Sequence, residues 1–249
     1  MSGKESYFVR SEGPNAQAAR EAVRWLIERP ERKGFLAVHV YGDLDDVIAA
    51  VLGARSVKVL KEYGKVLLSG TEIMLVTERK MIWNAEHLPL VAFYPSRKFL
   101  DALDSIDNVS AMFVVPWIFG EVELWIRAHN AIELGAAPSP ATGPLIKNKV
   151  VEEALKGLTS VVNLSTGIVH PRDREATIQA FEILRDGGEA FSPEEVKAWL
   201  IATGRWKATD AEEVAKVACA VLERKKLRRG YPVWRGDILE IWRKDAEKL

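Results

Sequence analysis

Two short runs in the first half of the chain, residues 90–94 and 111–115, are almost entirely apolar. Each run is followed by a proline, Pro95 or Pro116, and a helical pattern begins beyond it. A strand that is apolar on both faces must be covered on both faces. The runs therefore predict interior strands of a sheet with helices packed on either side. This pattern is typical of an α/β domain.

The pattern in the rest of the first 135 residues predicts the same architecture. Apolar residues at helical spacing predict a helix over 16–29, and branched and aromatic residues predict a strand over 35–41. Two short apolar runs on either side of Ser69 and Gly70 predict a β-hairpin, since glycine supplies the positive φ of a tight turn. We therefore expect a mixed, mostly parallel sheet of four or five strands flanked by helices.

The second half of the chain has a different pattern. Residues 135–144 contain three prolines, two glycines and no charged residue, which predicts a stiff, proline-rich linker over 136–144. Beyond it the β-type runs nearly vanish, and helical spacing predicts about five helices; residues 192–195 form the capping box of one of them. The predicted organisation is an α/β domain over 1–135 and an all-α helical domain over 145–249.

Charge and cysteine content indicate the cellular compartment and the classes of partner to expect for this protein. The 35 basic and 35 acidic residues cancel, so no global field attracts nucleic acid or an anionic membrane. The N-terminus has neither a signal nor a transit pattern, and no apolar stretch approaches the ~20 residues of a membrane helix. Cys219 has no partner for an internal disulfide, and its apolar neighbours predict a buried helical position. We expect a cytoplasmic protein with no membrane partner; the oligomeric state is not indicated.

The usual catalytic and metal-binding motifs are absent from the sequence. The four histidines lie too far apart for zinc-binding spacing, so no metal site is predicted. No Gly-x-Ser-x-Gly elbow, Walker loop or Gly-x-Gly-x-x-Gly turn follows a predicted strand. No catalytic residue can therefore be named, and no cofactor is indicated.

The ends of the predicted strands carry the first candidate site. Parallel strands would bring together at one edge an acidic, aromatic and hydroxyl set, which predicts a ligand-binding cleft. The set consists of Asp43, Tyr94, Ser96, Trp117 and Glu121. Glu78 and Arg79 follow the predicted hairpin, and an antiparallel strand there would send them to the opposite edge.

The acidic residues after the strand over 35–41 allow two interpretations. Asp43, Asp45 and Asp46 can hold Mg²⁺ through one or two oxygens, with phosphate and water completing the shell. In the other interpretation Asp43 caps a short helix, and the helix dipole favours Asp45 and Asp46 in its first turn. The second interpretation is the commoner one for aspartates in a first turn.

A cluster of five cations carries the second candidate site, a nucleic-acid contact. Its members are Arg224, Lys225, Lys226, Arg228 and Arg229. They lie at the end of a helix predicted to reach about Leu227, and the aromatic residues Tyr231 and Trp234 follow them. Such a run can contact phosphates, or it can simply complement the negative end of the helix dipole.

The polar loop over 163–171 also allows two interpretations. With two hydroxyls, a glycine and a histidine ahead of a helix, it can present backbone amides to an anion. In the other interpretation Ser165 and Thr166 satisfy turn hydrogen bonds, and His170 caps the helix that Pro171 begins.

Two functional hypotheses follow. In the first, the protein is a binding or regulatory protein without catalytic activity, whose α/β domain docks a protein or small-molecule partner. In the alternative, it is an enzyme acting on a phosphorylated or nucleotide-like substrate with Mg²⁺ at the strand ends. The lack of a catalytic signature favours the first.

Overall fold

The structure is a computed structural model that describes residues 4–81, 86–135, 144–227 and 230–248. The described residues form two compact units. One comprises residues 4–126 with 130–135, and the other comprises residues 127–129 with 144–248. The first unit contains a sheet flanked by helices and the second is helical, so the predicted fold classes are confirmed.

In the part of the chain that the structure describes, the sheet of the first unit has seven strands. They are β1 (Glu5–Phe8), β2 (Lys33–Val38), β3 (Lys65–Leu68), β4 (Thr71–Val76), β5 (Leu88–Phe93), β6 (Val109–Val115) and β7 (Ile132–Glu133). Their order across the sheet is β3-β4-β2-β5-β6-β1-β7. Neighbouring strands are parallel except for β3 and β4, which are antiparallel. The predicted mixed, mostly parallel sheet is therefore confirmed.

The sheet has more than the predicted four or five strands because β1 and β7 leave no periodic signal. The four residues of β1 pair with β6, where Tyr7 lies opposite Phe113, and the two residues of β7 pair with β1. Elements this short are defined by hydrogen bonds to distant strands rather than by their own pattern.

The predicted hairpin joins β3 to β4. Its turn residues Ser69 and Gly70 both have positive φ, 49° and 82°, as a tight two-residue hairpin turn requires. Because β4 is itself parallel to β2, Glu78, which follows β4, lies at the carboxyl edge of the sheet. The antiparallel strand therefore does not send Glu78 and Arg79 to the opposite edge.

Helices cover both faces of the sheet. They are α1 (Ala16–Ile27), α2 (Val47–Leu52), α3 (Ala54–Tyr63), α4 (Arg97–Asp104) and α5 (Phe119–His129). Helices α1, α2 and α3 share a core with Val91 and Phe113, whereas α4 and α5 share a core with Leu90 and Met112 on the other face. The alternating direction of side chains along β5 and β6 thus explains why both strands are apolar throughout.

In the described part of the second unit, five helices pack around one apolar core. They are α6 (Lys149–Val161), α7 (Pro171–Asp186), α8 (Pro193–Ala202), α9 (Ala208–Leu222) and α10 (Ile238–Ala246). Ser192 caps α8 by accepting a hydrogen bond from the Glu195 N–H, at 3.4 Å. Cys219 lies on α9, as predicted, but it is exposed. Val217 and Ala218 are buried against the core, and the next residue on the helix, Cys219, faces away from it. No described helix has the length and apolar character needed to cross a membrane.

The predicted domain boundaries remain a prediction. Residues 136–143 of the predicted linker lie outside the described residues. We expect limited proteolysis to cut first between Gly135 and Leu145 and to leave two stable fragments, because a segment rich in proline and glycine has few ways to bury its backbone. Gel electrophoresis with intact-mass analysis would identify the fragments. Resistance at this segment, or decay to small peptides, would refute the predicted boundaries.

Candidate functional site

The carboxyl edge of the sheet contains a topological switch point. The chain leaves β2 toward α2 and α3 on one face and leaves the adjacent β5 toward α4 on the other. The loops after the two strands therefore diverge, which is where open α/β sheets bind ligands. Asp43, Tyr94 and Ser96 lie in these loops, and Trp117 and Glu121 follow the next strand, β6. The five predicted residues thus share one edge of the sheet.

Tyr94 and Trp117 are brought into contact at this edge. Their rings meet edge to face with centroids 5.1 Å apart. Tyr94 has a φ of 50°, which is uncommon for a residue with a side chain. Its hydroxyl accepts a hydrogen bond from the Asn15 N–H at 3.4 Å, and burial raises the pKa of this phenol. The backbone conformation of Tyr94 is therefore held by contacts with two other parts of the unit.

The polar members of the predicted set are engaged in local structure. One carboxylate oxygen of Asp43 accepts a hydrogen bond from the Val40 N–H at 3.0 Å, and Ser96 caps α4 through the Phe99 N–H at 3.3 Å. Glu121 is exposed in the first turn of α5. The structure places these residues at one edge but does not converge them on a common point.

Asp43 caps a 3₁₀ turn over Tyr41–Leu44, whereas α2 begins at Val47 and its N-cap residue Asp46 makes no side-chain capping hydrogen bond. Asp45 forms an ion pair with Lys61, and Asp43 is hydrogen-bonded to backbone. Within the described ranges, no three histidine, cysteine or acidic side chains form a group that could hold a metal ion. The Mg²⁺ alternative therefore gains no support from this edge.

Sequence reasoning missed a charged cluster at the same edge. The Glu78 carboxylate lies 3.5 Å from His39 Nδ1 and 3.2 Å from Lys98 Nζ. The three side chains come from the ends of β2 and β4 and the start of α4, so only the parallel pairing of β2 with β4 brings them together. Glu78 and Lys98 form a surface ion pair, and His39 contributes charge to it only when its ring is protonated.

The second unit contains a pocket of about 880 Å³, a size typical of small-molecule sites. Two parts of the chain line it, residues 169–178 around the start of α7, and residues 227 and 230–233 beyond α9. The lining includes apolar and cationic side chains: Val169, His170, Pro171, Arg172, Arg174, Glu175, Ile178, Leu227, Gly230, Tyr231, Pro232 and Val233. His170 caps α7 through its Nδ1, which accepts a hydrogen bond from the Arg172 N–H at 3.2 Å, so the capping interpretation of His170 holds.

The pocket wall formed by residues 230–233 is held against α7 by hydrogen bonds. The buried carboxylate of Glu175 accepts from the Gly230 N–H at 2.6 Å and from the Gln179 side-chain amide at 2.5 Å. The Gln179 side chain in turn donates to the Tyr231 carbonyl at 3.0 Å and accepts from the Val233 N–H at 2.8 Å. These bonds fix the backbone of the segment that closes the pocket.

Two arginines of the pocket have no acidic partner. Arg172 and Arg174 are exposed in the first turn of α7, and neither forms an ion pair with any residue the structure describes. Cations at this end of a helix are unfavourable, because the first-turn N–H groups already carry partial positive charge. This placement of two arginines directly after Pro171 is the sequence signal that could have identified them.

The predicted basic run is not a helix end. Helix α9 ends at Leu222 rather than near Leu227, and Arg224 follows in a left-handed conformation with φ of 54°. A turn stops the helix here, since the Lys225 N–H donates to the Ala220 carbonyl at 3.0 Å. Arg224, Lys225 and Lys226 are exposed beyond this turn, and Leu227 lines the pocket. Arg228 and Arg229 lie outside the described residues.

The fold and pocket define a two-unit protein, with an α/β sheet unit and a helical unit that contains a ligand-sized cavity. A family model described as "Domain of unknown function (DUF1889)" matches residues 147–243. The match covers α6 through α9, most of α10 and the whole lining of the pocket. The helical unit is therefore similar to this family, whose description assigns no activity. No solved structure matches the chain.

Proposed function

We propose that the protein is a cytoplasmic binding protein without catalytic activity, and that its helical unit holds an anion that carries an apolar or aromatic group. The observation that carries this proposal is the pocket of about 880 Å³, in which two arginines without acidic partners among the described residues border an apolar surface. The carboxyl edge of the sheet, with its engaged acids, supports a specific ligand less strongly.

The chemistry of the lining matches such a ligand in two parts. Arg172 and Arg174 present guanidinium groups, whose planar donors suit phosphate, sulfonate or carboxylate oxygens. Ile178, Leu227 and Val233 provide an apolar surface beside them, since their side chains line the same cavity. A bound anion would also relieve the unfavourable placement of two cations at the start of α7.

The lining supports binding rather than catalysis. None of the described pocket-lining residues is a serine, cysteine or lysine, so the hydroxyl, thiol and amine nucleophiles of those residues are absent from the described lining. The carboxylate of Glu175 is occupied by two hydrogen bonds, and His170 Nδ1 is occupied by its cap. The Glu175 carboxylate and His170 Nδ1 are thus engaged in holding the pocket together.

The binding of 1-anilinonaphthalene-8-sulfonate, a sulfonate attached to aromatic rings, tests the proposal. We expect saturable binding of one molecule per chain, with fluorescence enhanced by the apolar lining. The double variant Arg172→Ser/Arg174→Ser should weaken binding at least about tenfold, because charge-assisted hydrogen bonds are lost. Fluorescence titration of the full chain gives the dissociation constant.

A matched control removes two cations of the same unit that do not line the pocket. Lys147→Ser/Lys149→Ser should leave the dissociation constant within about twofold, since the control preserves every lining residue. If both double variants weakened dye binding equally, the loss would come from net charge alone. That result would refute the pocket as the binding site.

The alternative of a Mg²⁺-dependent enzyme predicts a different result. Thermal melting of the full chain with nucleotides, with and without Mg²⁺, separates the two, because a ligand specific for the folded state raises the melting temperature. A shift that requires Mg²⁺ and is lost on Asp43→Asn would favour the enzyme. A metal-independent shift that is lost with Arg172 and Arg174 would favour the binding protein.

A second candidate function is docking of a protein or small-molecule partner by the α/β unit. Large apolar side chains, each about half exposed, lie at the carboxyl edge that holds the switch point. They are Val40, Tyr41, Trp117 and Ile118. This edge is also where Tyr94 adopts its uncommon backbone conformation.

A further inference from the structure

We infer that the natural ligand of the pocket is single-stranded nucleic acid, with phosphates on the arginines and a base stacked on Tyr231. This inference rests on the proposed function, since it names the ligand class of the same pocket. It names a polymer as the ligand, because exposed cations are also present outside the cavity.

Exposed cations are present outside the pocket as well as in its lining. We call Arg172, Arg174, Arg224 and Lys226 together the cation path. Arg224 and Lys226 precede the pocket residue Leu227, so they lie within about 11 Å of it along the chain. Both are exposed, and neither forms an ion pair within the part of the chain that the structure describes. Arg172 and Arg174 line the pocket and Arg224 and Lys226 lie a few residues before it, which gives four exposed cations without acidic partners among the described residues.

Three acids close to these cations in the sequence are already engaged by other groups. Glu223 is paired with Lys225 at 2.6 Å, and the carboxylate of Glu175 is buried against the Gly230 N–H and Gln179. Asp173 is also buried and lies 3.5 Å from the Asn163 N–H. The surface left for a ligand is therefore cationic, although the whole chain carries no net charge.

Tyr231 supplies an exposed aromatic ring on which a base can stack. Its side chain is 91% exposed, whereas its carbonyl is held by Gln179 and the neighbouring Gly230 N–H is held by Glu175. An exposed ring on an anchored backbone loses little conformational freedom when a planar group stacks on it. Stacking of bases on such rings is how proteins hold single strands without sequence readout.

A single strand fits this surface better than a duplex or an acidic peptide does. In a duplex the bases are stacked on each other, so only phosphates would meet the cations and neither the cavity nor Tyr231 would be used. An acidic peptide supplies charge but lacks a planar base for the ring. Of these three polymers, only the single strand can use the cavity, the cations and the exposed ring together.

Fluorescence anisotropy with a labelled 12-nucleotide single strand, as DNA and as RNA, tests the inference on the full chain. We expect the single strand to bind at least about tenfold more tightly than the matching duplex or a glutamate 12-mer. Tyr231→Ala should weaken binding about tenfold, and Tyr231→Phe should stay within about twofold because the ring remains. Tyr63→Ala, which removes an exposed tyrosine of the other unit, serves as the control.

The salt dependence tests the cation path separately. Four neutralised phosphates predict a slope of log affinity against log salt of about −3 for a single strand. Arg224→Ser/Lys226→Ser should reduce the slope to about −1.5, since two fewer phosphates are neutralised. An unchanged slope would remove these cations from the site and overturn the path.

Competition with 1-anilinonaphthalene-8-sulfonate separates failure of this inference from failure of the proposed function. Displacement of the dye by the single strand supports both. Dye binding that depends on Arg172 and Arg174, without displacement by the strand, would overturn the nucleic-acid ligand and leave the pocket standing. Absence of arginine-dependent binding by either probe would overturn both.

Discussion

Replacing Glu175 with alanine should destabilise the helical unit by roughly 2–4 kcal/mol and remove dye binding. Its carboxylate holds the pocket wall through the Gly230 N–H and is also bonded to Gln179, which itself binds the wall at two further backbone groups. Hydrogen bonds to a charged group contribute ~1.5–3 kcal/mol each, and the exposure of Gly230 places that bond at the lower end. Urea denaturation of the full chain and a dye titration would measure the two effects.

The effect of Glu175→Ala should be local to the pocket wall. Hydrogen exchange should accelerate at the Gly230 and Val233 amides, because their acceptors are removed or released. Glu240→Ala, which removes an exposed acid on α10 of the same unit, should change stability by no more than about 0.5 kcal/mol. Equal stability losses in the two variants would contradict the role assigned to Glu175.

Replacing Phe93 with alanine should destabilise the α/β unit by about 3–5 kcal/mol, the usual loss for a fully buried phenylalanine. Phe93 is 0% exposed at the end of β5, and its ring packs in the core shared with α1 and α2. The change removes apolar burial and leaves a cavity that the flanking strands cannot close. Urea denaturation followed by circular dichroism would give the loss in unfolding free energy.

An exposed leucine provides the control for Phe93→Ala. Leu67 lies on the edge strand β3 with 72% of its surface exposed, so Leu67→Ala removes little burial. We expect a change of no more than about 0.5 kcal/mol. A loss below about 1 kcal/mol for Phe93→Ala would mean that β5 is not an interior strand.

Features set by residues close in sequence were predictable. The apolar runs at 90–94 and 111–115 identify the interior strands β5 and β6, because burial on both faces excludes polar residues from either face. The turn at Ser69 and Gly70 and the Ser192 cap of α8 depend on backbone groups within a few residues. All the groups that form these features lie within a few residues of one another, so the sequence is sufficient to predict them.

Where local signals compete, the sequence alone was misleading. Apolar and cationic residues continue a helical pattern toward Leu227, but backbone bonds from 224 and 225 to the last turn end α9 at Leu222. Cys219 has apolar neighbours, yet its place on the helical turn leaves it exposed. The backbone conformation of Arg224 decided the first outcome and the direction of Cys219 on the helix decided the second, and composition reports neither.

The sequence by itself determined the fold classes, the hairpin and the individual segments that carry charge and aromatic groups. Only the tertiary structure decided that β1 lies beside β6, and that Glu175 on α7 holds Gly230 far along the chain. It also placed Arg172 and Tyr231 on one cavity, although the sequence presents them as parts of unrelated segments. The physical reason is that periodicity records which face of an element is buried, whereas a site depends on which elements become neighbours. That choice is made by packing across the whole unit.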